Sequence, residues 1–247
     1  MPYPGPSRTH PVGPEAHPHD GLTMTALTND GEPMSGSHYF SSAPEVASER
    51  RPITVSLPDL TLELTTDAGV FSHGRLDQGT RVLLEHAPPP RVRGPILDVG
   101  CGYGPIALTW ATRRKRLPVW AVDVNERALE LVRLNAEALR LGNVQAALPD
   151  EVPEDLRFAT IYSNPPIRIG KAELRGLLTH WLGRLTPDGS AFLVVQKHLG
   201  SDSLQKWLNE QGYPTSRVAS VNGFRILEAR PRPEAGEGTE SGRGTTS

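Results

Sequence analysis

The chain has 247 residues, enough to bury one substantial α/β core. Only 37% of the residues are hydrophobic, and the chain contains 24 glycines and 24 prolines. This composition indicates a globular domain carrying polar extensions. The formal net charge of −2 argues against a protein that coats nucleic acid through its overall charge. Because seven acidic but only three basic residues lie in the polar ends, at 1–37 and 231–247, the rest of the chain carries a slight positive excess that permits a local basic patch.

The two ends of the chain lack any apolar periodicity. Residues 1–37 and 231–247 are predicted to be disordered tails, because they cannot bury enough apolar surface to offset the entropy of ordering. Histidines at positions 10, 17 and 19 are expected to be solvated there, not to bind a metal. The single cysteine, Cys101, excludes a disulfide framework, and no apolar run suits a signal peptide or a membrane span. We therefore expect a soluble cytoplasmic protein without a metal.

Residues 38–90 form an N-terminal segment that we expect to pack on a catalytic domain at 91–230. Two short β-like runs occur at 53–57 and 60–64, and the second alternates apolar and polar residues. A short helix is predicted around 80–86, and a linker with three consecutive prolines follows it.

Strands and helices alternate after this linker. The predicted strands are 95–99, 118–124, 144–148, 159–163, 191–196, 215–221 and 224–229. The predicted helices are 105–115, the span between an Asn125 N-cap and a Gly142 stop, 171–185 ended by a turn at 186–189, and 201–211. Asn222 and Gly223 suit a hairpin turn between the last two strands. This order predicts an α/β fold with a mainly parallel seven-stranded sheet, an antiparallel last strand, helices on both faces, and a ligand site beyond the carboxyl ends of the strands.

A glycine-rich loop follows the first strand of this series. Glycines at such a loop let the backbone approach a ligand with positive φ, and helix-terminal N–H groups point at it. The spacing Gly100-x-Gly102-x-Gly104 lacks the third glycine of a dinucleotide fingerprint, and the preceding Asp98 would repel a pyrophosphate but suit a cationic amino group. Asp123 ends the next strand, 23 positions after Gly100, where an acid can accept hydrogen bonds from both ribose hydroxyls. These features favour an adenosyl ligand with a cationic methionine-like end over NAD.

An Asn-Pro-Pro sequence follows the strand predicted at 159–163. The side-chain oxygen of Asn164 and the carbonyl of Pro165 are both acceptors, and Pro166 has no N–H to compete for that carbonyl. Side by side, the two acceptors could take both hydrogens of a planar NH2 group and favour the nitrogen that gains charge during its alkylation. A rigid turn is the alternative interpretation, but the preceding glycine loop and ribose acid favour a functional one.

These motifs together resemble those of class I S-adenosylmethionine-dependent methyltransferases, and within them the small-subunit ribosomal RNA guanine-N2 methyltransferases. The resemblance implies the Rossmann-like fold of that class, S-adenosylmethionine as cofactor, and methyl transfer to the exocyclic amine of an RNA base, with guanine in small-subunit ribosomal RNA as the favoured target. The similar segments are HYFS at 38–41, GVFS at 69–72, LDQGT at 76–80, DVGCGYG at 98–104, AVDVNERAL at 121–129, SNPPIRIGK at 163–171 and FLVVQKHLGSDS at 192–203.

The resemblance also implies roles for individual residues. The catalytic residues would be Asn164, Pro165 and Pro166, which would hold the target amine. The residues implied around the cofactor are Asp77, Gly79, Asp98, Gly100, Cys101, Gly102, Gly104, Asp123, Val124, Asp150 and Asn164. The residues expected to bind the substrate are Phe71, Ile167, Arg168, Lys171 and Lys197.

Basic side chains near the strand ends suggest how RNA would be held. Positions at or just after strand ends on the active face are predicted to bind phosphate, and these are Arg168, Lys171, Lys197, His198 and Arg225. The basic run at 113–116 ends a helix, where cations suit the helix dipole. It is interpreted as a solvated helix end, with contact to RNA phosphate as the alternative.

The chain departs from the resembled pattern in three ways. Ile167 stands where the wider class has an aromatic residue after the second proline, so stacking on the base is assigned to Phe71. Ala159 stands where the class usually has Asp, and the chain has room for only one methyltransferase domain. Methylation of a protein glutamine amide, a non-catalytic module that binds adenosylmethionine and RNA, and an NAD-linked oxidoreductase remain alternatives. The sequence leaves the nucleotide and the oligomeric state open.

Overall fold

A computed structural model describes residues 47–72 and 74–233 of the chain. The predicted N-terminal tail, the HYFS segment at 38–41 and all but the first three residues of the predicted C-terminal tail lie outside the described residues. Within the described part, no helix is long and apolar enough to span a membrane.

The chain begins with a hairpin and a short helix. Strands β1 (Arg51–Ser56) and β2 (Thr61–Thr66) pair antiparallel, and helix α1 (Gln78–His86) follows. The hairpin alternates buried and exposed residues, so that its inward-facing aliphatic side chains join the same apolar cluster as those of α1. The two strands and the helix predicted from sequence are confirmed, with ends shifted by one or two residues.

Seven further strands form one sheet. They are β3 (Ile96–Val99), β4 (Val119–Val122), β5 (Val144–Ala147), β6 (Phe158–Ser163), β7 (Leu185–Gln196), β8 (Thr215–Val221) and β9 (Phe224–Ala229). Their order is β5-β4-β3-β6-β7-β9-β8, and every pairing is parallel except those of β9, which runs antiparallel to β7 and β8. Asn222 and Gly223 form the β8–β9 turn with φ values of 50° and 80°. The order reverses between β3 and β6, which places the ligand site at the carboxyl ends of these strands.

Four helices cover the two faces of the sheet. They are α2 (Pro105–Arg113), α3 (Glu126–Ala138), α4 (Lys171–Leu182) and α5 (Ser201–Glu210). One apolar cluster joins the sheet to α1, α2, α3 and the hairpin, and a second joins it to α4 and α5. In β7, Phe192 and Val194 belong to the first cluster, whereas Leu193 and Val195 belong to the second, as expected for a strand buried on both faces. The fold class predicted from sequence is confirmed.

The end of helix α3 differs from the sequence prediction. Helix α3 ends at Ala138, and the left-handed residue after it is Arg140 (φ 55°), not Gly142. The Leu141 N–H reaches back to the Ala136 carbonyl at 2.9 Å and closes the helix before the glycine is reached. The local hydrogen bonds, not the glycine, therefore set this end of the helix.

The end of α4 is also earlier than predicted. The helix stops at Leu182, and Leu185 already begins β7 opposite Phe158. The predicted turn at 186–189 is a bulge inside this strand, since the pairing resumes at Ser190. Between helix and strand lies Arg184, which is 8% exposed and stacks on the aromatic rings of Phe158 and Trp181. From sequence alone, Arg184 looks like one more residue of the helix, so its packing against the two rings could not be used to predict where α4 ends.

Candidate cofactor and substrate site

A cleft of about 740 Å³ opens at the carboxyl ends of the central strands. Its walls come from the ends of β3, β4, β6 and β7, from the start of β9 and from the loop after β2. A smaller cavity next to it shares several lining residues with the cleft. The shared residues are Phe71, Asp77, Gly100, Gly102 and Asn164. The cleft therefore brings together residues from the N-terminal segment, the glycine loop and the Asn-Pro-Pro turn.

The glycine loop forms one wall with open space above two of its glycines. The N–H groups of Gly100 and Cys101 donate to the Val122 carbonyl at 2.8 and 3.1 Å, so the loop is anchored on β4. Gly100 and Gly102 have φ values of 72° and 54°. A Cβ would approach nothing nearer than 4.0 Å at Gly100 and 3.8 Å at Gly102, so protein atoms leave room for a ligand there.

Gly104 serves the packing of α2 more than the cleft. It has a φ of 89° and is the N-cap of the helix, with Pro105 at the first helical position. A Cβ added there would lie 3.0 Å from both Leu108 and Val132. Gly104 lets the helix start close to α3 and is not among the residues that line either cavity.

Asp123 ends β4 and lines the cleft. Its Oδ2 accepts from the Gly102 N–H at 2.9 Å, and its Oδ1 accepts from the Asn125 N–H at 3.0 Å. Burial raises its pKa, whereas the hydrogen bonds from Asn125 and Gly102 act in the opposite direction. Because each carboxylate oxygen can accept a second hydrogen bond, the side chain suits two neighbouring hydroxyl groups, as on a ribose.

Asp98 lies behind the glycine loop and does not line the cleft, whereas the resemblance had placed it directly around the cofactor. It is fully buried, its Oδ2 accepts from the Ala107 N–H at 3.0 Å, and its Oδ1 has no hydrogen-bond partner among the described residues. Burial raises its pKa to about 8, and the neighbouring Asp123 adds to this effect. The carboxyl is therefore mostly protonated at neutral pH, and a cation nearby would favour its ionised form.

Asn164 has a fixed amide orientation. Its Nδ2 donates to Asp77 Oδ2 at 2.7 Å and to Thr80 Oγ1 at 3.1 Å. Both amide hydrogens are thus used, and the described residues make no hydrogen bond to its Oδ1. Asp77 Oδ2 also accepts from the Thr80 N–H at 2.9 Å and so caps α1. Sequence reasoning missed Thr80, although its place three residues after a capping Asp was a usable signal.

The Pro165 carbonyl is not free, contrary to the sequence prediction. Pro166 indeed has no N–H, but the Ile167 N–H donates to the Pro165 carbonyl at 2.8 Å. The cause is the backbone of Pro166, whose φ of −73° and ψ of 78° form an inverse γ-turn. The carbonyl keeps one lone pair for a further donor. Of the two acceptors predicted for a target amine, Asn164 Oδ1 is the one without a partner.

Exposed apolar side chains surround the mouth of the cleft. Phe71, Ile169 and Leu199 are 65%, 41% and 39% exposed, and among the described residues they are the large hydrophobic side chains with substantial exposure. All three line the cleft. The loop that carries Phe71 is tied to the start of α3, because Asn125 Nδ2 donates to the Gly69 carbonyl at 3.1 Å. The aromatic ring is therefore presented on an anchored loop.

The predicted phosphate-binding residues fall into two groups. Arg168 is exposed and lines the cleft, while Lys171 at the start of α4 and Lys197 after β7 are exposed beside it without lining it. His198 is also exposed. Arg225 is 7% exposed, and its guanidinium donates to Ser201 Oγ at 2.9 Å and pairs with Asp202, so the prediction that it binds phosphate is wrong.

Only some of the remaining predicted residues line the cleft or the smaller cavity. Val124 and Ile167 line the cleft, and Cys101 lines the smaller cavity. Asp150 is exposed and lines neither, although its neighbour Pro149 does. Gly79 lines neither cavity and is buried against the Phe224 ring. Cleft residues without any sequence signal include Leu177, Trp181 and Val194, since ordinary apolar positions look alike in sequence. The described residues contain no group of His, Cys, Asp or Glu that could hold a metal ion.

The seven-stranded sheet, the open glycine loop, the carboxylate at the end of β4 and the Asn-Pro-Pro turn define a methyltransferase of Rossmann-like fold. Residues 61–228 match the methyltransferase small domain. The chain belongs to this family, and S-adenosylmethionine, predicted from the glycine loop and the two acids, is the methyl donor that the family uses.

Three comparisons place the chain among known proteins. It is 38% identical over 196 residues to the uncharacterized protein YbxB of Bacillus subtilis, covering 78% of this chain and 98% of that one. It is 30% identical over 183 residues to ribosomal RNA small subunit methyltransferase C of Shewanella amazonensis, covering 72% and 52%. The 16S rRNA N2 G1207 methyltransferase (RsmC) of T. thermophilus, solved with AdoMet and guanosine, matches with a TM-score of 0.65 and 27% identity, covering 78% and 53%. The chain thus spans about half the length of the two named rRNA methyltransferases.

Proposed function

We propose that the protein transfers a methyl group from S-adenosylmethionine to the exocyclic N2 amine of a guanine in small-subunit ribosomal RNA. The observation that carries this proposal is the orientation of Asn164. Its amide nitrogen is held by Asp77 and Thr80, which leaves the amide oxygen as the hydrogen-bond acceptor at the cleft.

An acceptor in this position suits an aromatic amine. The lone pair of such an amine is delocalised into its ring, so the nitrogen is a poor nucleophile until it pyramidalises. Bound cofactor supplies an electrophilic methyl group. Asn164 Oδ1 can accept one N–H of the amine, orient the nitrogen, and stabilise the positive charge that grows on it. The new nitrogen–carbon bond would form as the carbon–sulfur bond of the donor breaks, and the cationic nitrogen would then lose its proton to water, so no strong base is required.

The rim of the cleft supports a nucleobase in RNA as the acceptor. The exposed Phe71 offers a face on which a base can stack, and Ile167 and Ile169, which follow the Asn-Pro-Pro turn, add apolar surface to the cleft lining. Arg168, in the cleft lining, supplies a positive charge beside it for a phosphate. The rRNA methyltransferase of T. thermophilus, which matches this chain, was solved with guanosine.

The test uses purified protein, labelled S-adenosylmethionine, and total RNA or small subunits from a strain that lacks the gene, followed by nucleoside analysis. We expect the label in N2-methylguanosine. The Asn164→Ala variant should lose about 100- to 1000-fold in kcat, as for the loss of one preorganised group in a catalytic site. The matched control is Gln145→Ala, which removes an exposed amide from β5 and should leave kcat unchanged.

Other outcomes would exclude parts of the proposal. Label in protein instead of RNA would refute the RNA substrate and favour methylation of a glutamine amide, the other planar NH2 group. Label in adenosine or cytidine would refute guanine. Binding of S-adenosylmethionine without turnover on any of these acceptors, together with full cellular function of Asn164→Ala, would favour a non-catalytic module.

A further inference from the structure

We propose that Asp77 and Thr80 are positioning residues that fix which end of the Asn164 amide faces the target amine. This inference rests on the proposed function, because it requires Asn164 to act on an N–H group of the substrate. It assigns to Asp77 a role other than the cofactor contact that the sequence resemblance implied.

The two ends of an asparagine amide have almost the same size but opposite hydrogen-bonding character. With the oxygen toward the cleft, the side chain accepts a hydrogen bond and favours a nitrogen that becomes cationic. With the NH2 toward the cleft, it would present positive hydrogens to that nitrogen and oppose the reaction. A 180° rotation of the amide therefore converts a helpful group into a harmful one, and the protein must select one rotamer.

Asp77 makes this selection. Its carboxylate lies 2.7 Å from Asn164 Nδ2 and can only accept hydrogen bonds. In the rotated amide, Asn164 Oδ1 would face this carboxylate without a hydrogen between them. The hydroxyl of Thr80, 3.1 Å from Nδ2, can donate or accept and would tolerate either rotamer. Asp77 thus determines the orientation, and Thr80 adds a second bond to the selected one.

The position of Asp77 is itself fixed by α1. Its Oδ2, the oxygen that receives Asn164, also accepts the Thr80 N–H at 2.9 Å as the N-cap of the helix. A Cβ at Gly79 would lie 3.0 Å from this oxygen and 3.0 Å from the Phe224 ring, so glycine keeps that space clear. Within four residues, the LDQGT segment therefore supplies two hydrogen-bond acceptors for Asn164 (Asp77 and Thr80) and a glycine between them that leaves room for the Asp77 carboxylate.

The experiment compares four variants by kcat on RNA, by the calorimetric Kd for S-adenosylmethionine, and by thermal stability. Serine is a good N-cap but is shorter than aspartate, so Asp77→Ser should keep α1 and lose the contact with Asn164. Without this contact the Asn164 side chain can take both amide orientations and other staggered rotamers, so kcat should fall with the fraction in the competent rotamer, about 5- to 10-fold, with the cofactor Kd and the Tm close to wild type. Thr80→Val should lower kcat by less, about 2-fold, because Asp77 still selects the rotamer, and Thr80→Ser should restore it.

Asp77→Asn is the conservative variant. The cap requires an acceptor facing the Thr80 N–H, so the new amide should turn its oxygen to the place of Oδ2 and still receive Asn164. We therefore expect kcat within a few-fold of wild type. A double-mutant cycle of Asp77→Ser and Asn164→Ala tests whether Asp77 acts through Asn164 or independently of it. If Asp77 acts through Asn164, Asp77→Ser should cost almost nothing further in the Asn164→Ala background.

Three results would overturn the inference. These are an unchanged kcat in Asp77→Ser, a loss that appears in the cofactor Kd and not in kcat, and additive losses in the double variant. A wild-type enzyme that labels a glutamine amide would refute the proposed substrate instead. The same ratios, measured on that acceptor, would then decide the role of Asp77, since a carboxamide NH2 needs the same acceptor.

Discussion

Replacement of Asp98 by asparagine should change how the stability of the cofactor-free protein depends on pH. The side chain is fully buried, one oxygen accepts from Ala107, and the other has no partner among the described residues. Asparagine has the same shape, its oxygen can keep the bond to Ala107, and its amide does not titrate. The variant therefore removes the ionisation of one carboxyl and leaves the rest of the titrating groups in place.

The magnitude follows from the difference between the folded and unfolded pKa of Asp98. Burial raises the folded pKa to about 8, whereas an unfolded Asp has a pKa near 3.9. Between these two values the folded state binds the extra proton, so the wild-type free energy of unfolding falls as pH rises through this range and levels off above it. The contribution is at most about 1.4 kcal/mol per pH unit, and roughly 3 kcal/mol between pH 5 and pH 7.

Urea unfolding of cofactor-free protein at pH 5, 6 and 7 and constant ionic strength measures this contribution. The free energy of unfolding of Asp98→Asn, minus that of wild type, should rise by about 1.4 kcal/mol per pH unit. The offset between the two curves also contains the desolvation of the amide, so only the slope is interpreted. Parallel curves for the two proteins would refute the reasoning, because they would mean that Asp98 is ionised in the folded state throughout.

Two further predictions concern the substrate side of the cleft. Phe71→Ala should raise the KM for RNA about 5- to 100-fold, which corresponds to the loss of one base stack. The cofactor Kd and the Tm should stay unchanged because the ring is 65% exposed. Phe71→Trp should retain RNA binding, and equal KM values for wild type and both variants would exclude stacking. Arg168→Ala should weaken RNA binding and reduce the slope of log K against log salt by about one. Arg225→Ala should instead lower the Tm without changing that slope, since Arg225 is buried and pairs with Asp202. An altered slope in Arg225→Ala, or an unaltered one in Arg168→Ala, would contradict this assignment.

The fold could be predicted because its signals are local and repeated. Short apolar runs alternate with helical patterns along the chain, and Asn222-Gly223 marks the final hairpin. Errors arose where two local signals compete. Leu185 fits the apolar pattern of α4 as well as the start of β7, and Gly142 is a usual helix stop that the earlier turn at Arg140 makes unnecessary. The decisive contacts there, such as Arg184 on Trp181, join residues by packing that no single segment encodes.

The sequence predicts the position of a site residue only where that position follows from the end of a strand. Asp123 and Asn164 follow parallel strands, so their positions at the same edge of the sheet follow from topology. Arg225 also occupies a strand end, yet it turns inward to Ser201 and Asp202. The Pro165 carbonyl receives the Ile167 N–H through a backbone turn. Partners of individual polar atoms depend on side-chain rotamers and backbone torsions, which the sequence pattern does not contain.

The N-terminal segment and the sheet both contribute residues to the cleft. The sheet supplies Asn164, but the partners of its amide belong to α1, and the exposed Phe71 belongs to the loop after β2. Helix α1 is held in place by buried apolar side chains, among them Leu83, which has no exposed surface. Since Asp77 caps this helix, the apolar pattern that docks α1 on the sheet also fixes the carboxylate beside Asn164. Under the proposed function, hydrophobic burial in the segment before β3 therefore selects the end of an amide that faces the reacting amine.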